Sequence, residues 1–247
     1  MSVLRAEKLT KSFKHRVVVK EVNIEVRSGE IISLLGRNGA GKTTTFQMIV
    51  GLIKPDRGEI FLDKKVISRY TSPDRATAGI TYLPQEHSVF LKASVLNNLM
   101  LILELQPLDK KEQEEIARKL LEELGLADIS KQMAYSLSGG ERRRLEICRS
   151  LVLKPKFLLL DEPFTGIDPL TIVELQKIMM RLKKRGIGII ISDHNVRDTL
   201  KISDRAYIID SGELLIHGTP REISSDETAK EKFLGKNFKL GDEVEFL

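Results

Sequence analysis

Residues 31–44 are IISLLGRNGAGKTT: an apolar run, a glycine-rich turn and the first residues of a helical stretch. From Gly36 to Thr43 they fit the pattern G-x-x-x-x-G-K-[ST], in the strand–turn–helix setting that the pattern requires. Glycines allow backbone N–H groups to approach phosphate oxygens, and the N-terminus of the following helix adds positive potential. The stretch therefore predicts a nucleoside triphosphate site between a buried strand and a helix.

The side chains of this phosphate loop have different expected tasks. Lys42 should reach the β- and γ-phosphates, and the Thr43 hydroxyl should bind Mg²⁺. The helical stretch should run from Lys42 to Val50 and end at Gly51. The residues expected to contact the nucleotide here are Arg37, Asn38, Gly39, Ala40, Gly41, Lys42, Thr43 and Thr44.

Two later apolar runs, Phe157–Leu160 (FLLL) and Ile187–Ile191 (IGIII), have the composition of strands buried on both faces. Between them, Leu170–Arg185 carries apolar residues at helical spacing. Strand, helix and strand with short links are typical of a parallel sheet. Helix signals dominate from about Ser94 to Leu153. The sequence therefore predicts an α/β fold with a parallel sheet and a helical insert.

An acidic pair, Asp161 and Glu162, directly follows the FLLL run. This is the carboxyl end of a strand, where open α/β sheets place ligands. We expect Asp161 to hold Mg²⁺ through water and Glu162 to polarise a water for attack on the γ-phosphate. An acidic pair at a strand end could also be a helix cap, but the presence of a phosphate loop in the same chain favours the catalytic interpretation.

The segment Leu137-Ser-Gly-Gly-Glu141 opens a helical stretch inside the insert. Ser138, Gly139 and Gly140 would present backbone donors at the positive end of that helix. Beside a phosphate loop they predict a second phosphate-binding surface. Because one chain has one of each surface, a single site that uses both would be completed by a second copy.

Composition excludes several other classes of protein. The 247 residues carry 40 Lys+Arg and 35 Asp+Glu, a net charge of +5, and 41% are hydrophobic, which is too apolar for a disordered chain. The single cysteine, Cys148, excludes a disulfide scaffold. No apolar run approaches the ~18 residues of a membrane span, and the N-terminal residues lack the pattern of a secretory signal. Three consecutive arginines at 142–144 point about 100° apart on a helix, which favours ion pairs or solvation over a nucleic-acid surface.

The motifs occur in one order: the phosphate loop, Gln85 in LPQ, LSGGE, FLLLDEP at 157–163, Gly166-Ile-Asp168 and His194. In this order, over nearly its full length, the chain resembles the ATP-binding subunits of ABC transporters. The resemblance implies an α/β fold: a P-loop, RecA-like core with a mainly parallel sheet, an N-terminal antiparallel β part and a helical subdomain insert. It implies one nucleotide-binding domain over residues 1–247, divided into a core (1–90 and 154–225), a helical subdomain (91–153) and a C-terminal extension (226–247).

The resemblance also implies the cofactors, ATP and Mg²⁺, and a head-to-tail homodimer with two ATP molecules at its interface. Phe13 would stack on adenine, where the family often has Tyr. Gln85 would join Thr43 and Asp161 at Mg²⁺ and sense the γ-phosphate. Asp168 would pair across the dimer. His194 would contact the γ-phosphate, so that Glu162, His194 and Gln85 form the implied catalytic set.

Three stretches resemble the ATPase subunits of lipopolysaccharide export transporters: YLPQE at 82–86, DHNVRDTL at 193–200 and LGKNFKL at 234–240. Two features depart from them, because Leu91 stands where a basic residue is usual and 241–247 run beyond the usual end. The resemblance implies two integral membrane permease subunits that contact the chain near Gln85–Phe90. It places the chain in the cytoplasm, peripheral on the inner membrane, with no nucleic acid bound and lipopolysaccharide reached only through the partners.

Two alternatives stay open at this point. The ATPases of branched-chain amino-acid importers share the first two stretches in part. A non-transport ABC ATPase acting on ribosomes or DNA is the other, although such proteins usually carry two cassettes or a long coiled-coil insert. The substrate itself is not predicted by the residues of this chain, because contacts to it would lie in other chains.

Overall fold

The computed structural model describes residues 1–86 and 88–240, so the C-terminal residues 241–247 lie outside the described part. Two sheets form its framework. A four-stranded antiparallel sheet, in the order β2-β1-β4-β5, contains β1 (Val3–Phe13), β2 (Arg16–Arg27), β4 (Arg57–Leu62) and β5 (Lys65–Val66). A six-stranded sheet, in the order β10-β9-β3-β8-β7-β6, contains β3 (Ile31–Leu35), β6 (Ile80–Leu83), β7 (Phe157–Asp161), β8 (Gly188–Ser192), β9 (Arg205–Asp210) and β10 (Glu213–Gly218).

All neighbours in the larger sheet are parallel except β10, which pairs with β9 in the antiparallel sense. The expected α/β class, with a mainly parallel sheet and an N-terminal antiparallel β part, is therefore confirmed. The strand β8 lies between β3 and β7, so the phosphate loop and the acidic pair follow strands that are not direct neighbours.

Helices cover the sheet and form the insert. They are α1 (Lys42–Ile49), α2 (Ser72–Thr77), α3 (Val95–Leu103), α4 (Lys110–Glu123), α5 (Gly139–Leu151), α6 (Pro169–Lys184), α7 (Val196–Ile202), α8 (Pro220–Ser225) and α9 (Glu227–Ala229), with a 3₁₀ turn at Ala134–Ser136 and a π turn at Lys230–Leu234. The expected helix from Lys42 is α1, which ends one residue before Val50. Between β6 and β7 the described residues contain α3, α4 and α5 and no strand, as the helical insert requires.

Successive side chains of each strand point to opposite faces of the parallel sheet, so the hydrophobic core has one part on each face. Residues such as Ile31, Leu158 and Ile189 pack with the insert helices and α6, whereas Ile32 and Leu159 pack with α1 and the antiparallel sheet. Because both faces are covered, the central strands β3, β7 and β8 are buried along their whole length and are mostly apolar, as the FLLL and IGIII runs indicate.

The three arginines of 142–144 point in different directions, as expected. Arg143 is buried and pairs with Glu146 at 2.9 Å, Arg144 pairs with Glu174 at 2.7 Å, and Arg142 donates to a backbone carbonyl. Cys148 lies on the same helix and is buried, and burial raises the pKa of its thiol. In the part of the chain that the structure describes, no helix is long and apolar enough to cross a membrane.

The C-terminal end of α1 is held by a buried arginine from α2. The Arg75 side chain is 1% exposed, and one of its terminal nitrogens donates to the carbonyls of Met48 and Ile49 at 2.6 Å each. Its other nitrogens donate to the carbonyls of Ser68 and Tyr70. Burial lowers the pKa of Arg75 to about 10, so the guanidinium stays charged at neutral pH. Arg75 thus supplies the donors that carbonyls at a helix end lack.

Replacement of this arginine should destabilise the fold. Arg75→Ala leaves several buried carbonyls unpaired and should lower the free energy of unfolding by about 2–5 kcal/mol, since each bond to a charged group contributes roughly 1.5–3 kcal/mol. Urea denaturation with a constant m-value measures the loss. The control is Arg69→Ala, at an exposed position nearby. This variant should change the free energy of unfolding by less than about 0.5 kcal/mol. Equal losses in the two variants would contradict this assignment.

Candidate functional site

The phosphate loop connects β3 to α1 and depends on close backbone packing. Gly41 immediately precedes α1 with φ of +107°, a conformation that favours glycine. A Cβ at this position would lie 2.7 Å from the carbonyl oxygen of Val18 on β2. The antiparallel sheet therefore forms one wall of the loop, and only glycine fits between that wall and the helix N-terminus.

Lys42 is folded into the loop. The side chain is 5% exposed, and its ammonium donates to the carbonyls of Gly36 at 2.9 Å and Arg37 at 3.2 Å. Burial lowers the pKa of Lys42, and the charges of Glu162, Asp161 and Asp193 partly oppose that effect. A desolvated ammonium beside backbone N–H groups at a helix start is suited to bind phosphate oxygens.

Glu162 lies at the centre of a small polar cluster. Its Oε2 accepts hydrogen bonds from the Gln85 amide at 3.0 Å and the Thr165 hydroxyl at 3.1 Å, and lies 3.6 Å from His194 Nδ1. The backbone of Glu162 has φ of +48°, which is uncommon for a residue other than glycine. Its N–H donates to the Ser192 carbonyl at 2.7 Å. Such a conformation costs about 1–3 kcal/mol and persists where surrounding contacts hold it, as the bond to Ser192 does here.

Asp161 lies at the end of β7, behind Glu162, and is fully buried. The Ser192 hydroxyl donates to its Oδ1, and the Tyr82 hydroxyl donates to its Oδ2 at 3.1 Å. Burial and then the Asp161 charge raise the pKa of Tyr82, which keeps this phenol protonated. Asp161, Thr43 and Gln85 offer only oxygen ligands to a metal, which suits Mg²⁺.

No cluster of three or more His, Cys, Asp or Glu suited to a metal occurs among residues 1–86 and 88–240. Mg²⁺ is commonly bound by one or two carboxylates together with substrate phosphates. The donor set here, with one carboxylate, a hydroxyl and an amide, fits such a shared site.

One cleft of about 600 Å³ collects most of the expected site residues. Its described lining is Val18, Asn38, Gly39, Gly41, Lys42, Thr43, Thr44, Gln85, Glu162, Thr165 and His194. The loop residues Arg37 and Ala40 complete the turn. The positions are set by β3, β6, β7 and β8, whose parallel carboxyl ends meet at one edge of the sheet.

Several expected contacts lie outside this lining. Asp161 is buried behind Glu162, and Gly139 and Gly140 lie with Ser138 at the start of α5. Ser138 begins α5, where its hydroxyl and Glu141 form a capping box. Asp168 begins α6 by accepting the Thr171 N–H at 3.0 Å. Phe13, at the end of β1, is 45% exposed, and Lys11 Nζ lies 5.7 Å from its ring centroid.

Several residues near the site were not singled out by sequence patterns. Thr165 lies three residues after Glu162, so its position on the same turn was an available signal. Val18 and Val17 are the two apolar residues of β2 that are not buried, and nothing in the sequence pattern distinguishes Val18. Asp193 is buried and accepts N–H groups from Phe164 and Asn195, and burial raises its pKa. Its carboxylate fixes the loops that carry Thr165 and His194.

Comparisons with known proteins identify relatives that all belong to one family. The family model described as ABC transporter matches residues 19–165. The lipopolysaccharide export system ATP-binding protein LptB of Acidithiobacillus ferridurans is 49% identical over 96% of this chain and 99% of its own length. LptB of Escherichia coli K12 is 48% identical over 97% of this chain and 100% of its own. The solved ADP conformation of MJ1267, an ATP-binding cassette of an ABC transporter, has a TM-score of 0.87 and 28% identity over 96% of this chain and 100% of its own.

The close approach at Gly41 leads to a test. Gly41→Ala places a methyl group against the Val18 carbonyl and should weaken nucleotide binding at least tenfold. A tenfold loss corresponds to about 1.4 kcal/mol, which is within the range of strain expected in the loop. A fluorescent nucleotide titration measures the affinity. Gly186→Ala is the matched control, because it has φ of +86° with nothing within 4 Å of a new Cβ. The control should lose stability only, and a similar loss of affinity in both variants would contradict the steric explanation.

Proposed function

This chain belongs to the ABC transporter family of ATP-binding proteins, and on that premise we propose that it is the Mg²⁺-dependent ATPase subunit that powers lipopolysaccharide extraction from the inner membrane and its export to the outer membrane. One observation supports the hydrolytic activity above the others. Gln85, Glu162 and His194 come from three different strand ends and meet beside the phosphate loop. Identity of about 48% over nearly the full length to the export proteins supports the transport role.

Glu162 is the general base of this proposal. It is held by Gln85 and Thr165, so its carboxylate faces the cleft in one orientation. A water between Glu162 and the γ-phosphate would give up its proton to that carboxylate as it attacks. His194 Nδ1 lies 3.6 Å from Glu162 Oε2, and in this proposal the imidazole contacts the γ-phosphate.

In this proposal the binding roles are divided between residues that line the cleft and residues outside its lining, which include Phe13 and Asp161. Backbone N–H groups of residues 37–44 and the Lys42 ammonium bind the phosphates, and Phe13 stacks on adenine. Thr43, Gln85 and Asp161 would hold Mg²⁺, with Asp161 acting through water. The ion would supply charge neutralisation at the β- and γ-phosphates.

We place the second half of the site on another copy of the chain. Ser138, Gly139 and Gly140 form the N-terminus of α5, and Asp168 begins α6 beside them, since a Cβ on Gly140 would meet Thr171. This surface lies outside the cleft lining of its own chain. A head-to-tail homodimer brings it to the γ-phosphate of the partner, so two ATP molecules would close the dimer and their hydrolysis would release it.

The proposed membrane partners are two permease subunits that contact the chain near Gln85–Phe90, a range in which His87 lies outside the described residues. Phe90 is 49% exposed and Leu91 is 47% exposed, and the Arg149 guanidinium lies 4.6 Å from the Phe90 ring centroid. Arg149 also lines a groove of about 280 Å³, together with Leu52 and Ser88. Such a partner would hold the chain on the cytoplasmic face of the inner membrane. Leu91, in place of a basic residue, makes this contact more apolar than in the export subunits it resembles.

The general-base role predicts a specific kinetic defect. Glu162→Gln should lower ATP turnover by roughly 10²–10⁴-fold, since the amide cannot accept the proton of the attacking water. ATP affinity should change little, because the amide oxygen still accepts the bonds from Gln85 and Thr165. Glu59→Gln, on the exposed surface of the antiparallel sheet, should turn over as the unaltered protein does. Turnover of Glu162→Gln within tenfold of the unaltered protein would refute this role.

The transport role is tested by what accompanies the chain in its native membranes. Purification of the Glu162→Gln protein with ATP present should recover two membrane subunits with large periplasmic domains, together with lipopolysaccharide. Permease subunits with a periplasmic amino-acid-binding protein would instead favour an importer. Ribosomes or DNA without a membrane protein would overturn the transport role and leave the ATPase chemistry in place.

A further inference from the structure

Tyr82 connects two parts of the proposed site that sequence motifs treat separately. It lies on β6, three residues before Gln85, and its hydroxyl donates to Asp161 Oδ2 at 3.1 Å. Its ring meets the ring of Phe46 on α1 edge-on, with centroids 6.4 Å apart and planes at 80°. The side chain therefore touches both the helix of the phosphate loop and the carboxylate assigned to the metal.

Strand register explains this placement. Tyr82 pairs with Leu159 on β7, and Asp161 lies two residues further on the same face of the sheet. On the other side, Asp161 pairs with Ser192 of β8, whose hydroxyl donates to Oδ1. Each carboxylate oxygen is thus held by a hydroxyl from a different neighbouring strand, and the carboxyl group cannot rotate without breaking a hydrogen bond.

We propose that Tyr82 is a positioning residue for the metal: with Ser192 it fixes the Asp161 carboxylate in the orientation that serves Mg²⁺–ATP. The inference rests on the proposed function of Asp161. Hydrogen bonds to a metal-site carboxylate set its direction and its strength as an acceptor, and removal of such a partner commonly costs 10–100-fold in metal affinity. With one donor already on each oxygen, Asp161 is suited to bind the ion through a water.

The hydroxyl and the ring of Tyr82 can be separated experimentally. Tyr82→Phe keeps the ring against Phe46 and removes the donor to Asp161. Tyr70→Phe is the matched control, because Tyr70 also packs against the α1 side of the core but lies away from Asp161. Ser192→Ala removes the donor on the other oxygen and serves as a second variant. Asp161→Asn removes the carboxylate itself.

The measurement is the affinity for a fluorescent, non-hydrolysable ATP analogue, once with excess Mg²⁺ and once with EDTA. The dissociation constant in EDTA divided by that in Mg²⁺ reports how strongly the metal supports nucleotide binding. Tyr82→Phe should reduce this ratio about tenfold and leave the EDTA affinity unchanged. Ser192→Ala should behave in the same way, and Tyr70→Phe should match the unaltered protein.

Other outcomes are decisive as well. Suppose that Asp161→Asn lowers this ratio but Tyr82→Phe keeps it within twofold of the unaltered protein. This result would overturn the role of Tyr82 alone. Weaker binding in EDTA with an unchanged ratio would show that Tyr82 supports the phosphate-loop helix only, and would also overturn the inference. If the unaltered protein binds the analogue no better with Mg²⁺, both this inference and the proposed Mg²⁺–ATP function fail.

Discussion

The parallel pairing of β3, β8, β7 and β6 is the constraint on which the rest of the structure depends. Parallel strands direct their carboxyl ends to the same edge, so the loops after these four strands meet although they are far apart in sequence. The phosphate loop, Gln85, Glu162 and His194 are each supplied by one of these loops. A single strand in the opposite direction would move its residue to the far edge of the sheet.

Charge inside the cleft is balanced at close range. The Lys42 ammonium is buried, which by itself disfavours its charged form, and the carboxylates of Glu162, Asp161 and Asp193 oppose that effect. The carboxylates in turn are held by neutral donors, hydroxyl, amide and backbone N–H groups, rather than by direct salt bridges with Lys42. A site arranged in this way can accept the negative charge of a triphosphate and a divalent cation together.

The insert and the core are joined through backbone groups next to the site. The Arg143 guanidinium of α5 donates to the carbonyls of Pro84 and Asp161, the residues that immediately precede Gln85 and Glu162. Its charge is compensated by Glu146, which also accepts the Ser88 N–H at 2.8 Å. The start of the helix that carries Ser138 is therefore connected to the loops that carry Gln85 and Glu162, through contacts that no short motif records.

The sequence by itself determined the α/β class, the helical insert and the phosphate loop, because apolar runs, helical spacing and a glycine pattern are local properties of the chain. It also selected Glu162, Gln85 and His194, through their order within motifs. Only the tertiary structure decided that β8 separates β3 from β7, that Val18 lines the cleft, and that Tyr82 and Ser192 hold Asp161. These contacts depend on strand order and register, which are set by packing between distant segments and leave no periodic signal in the sequence.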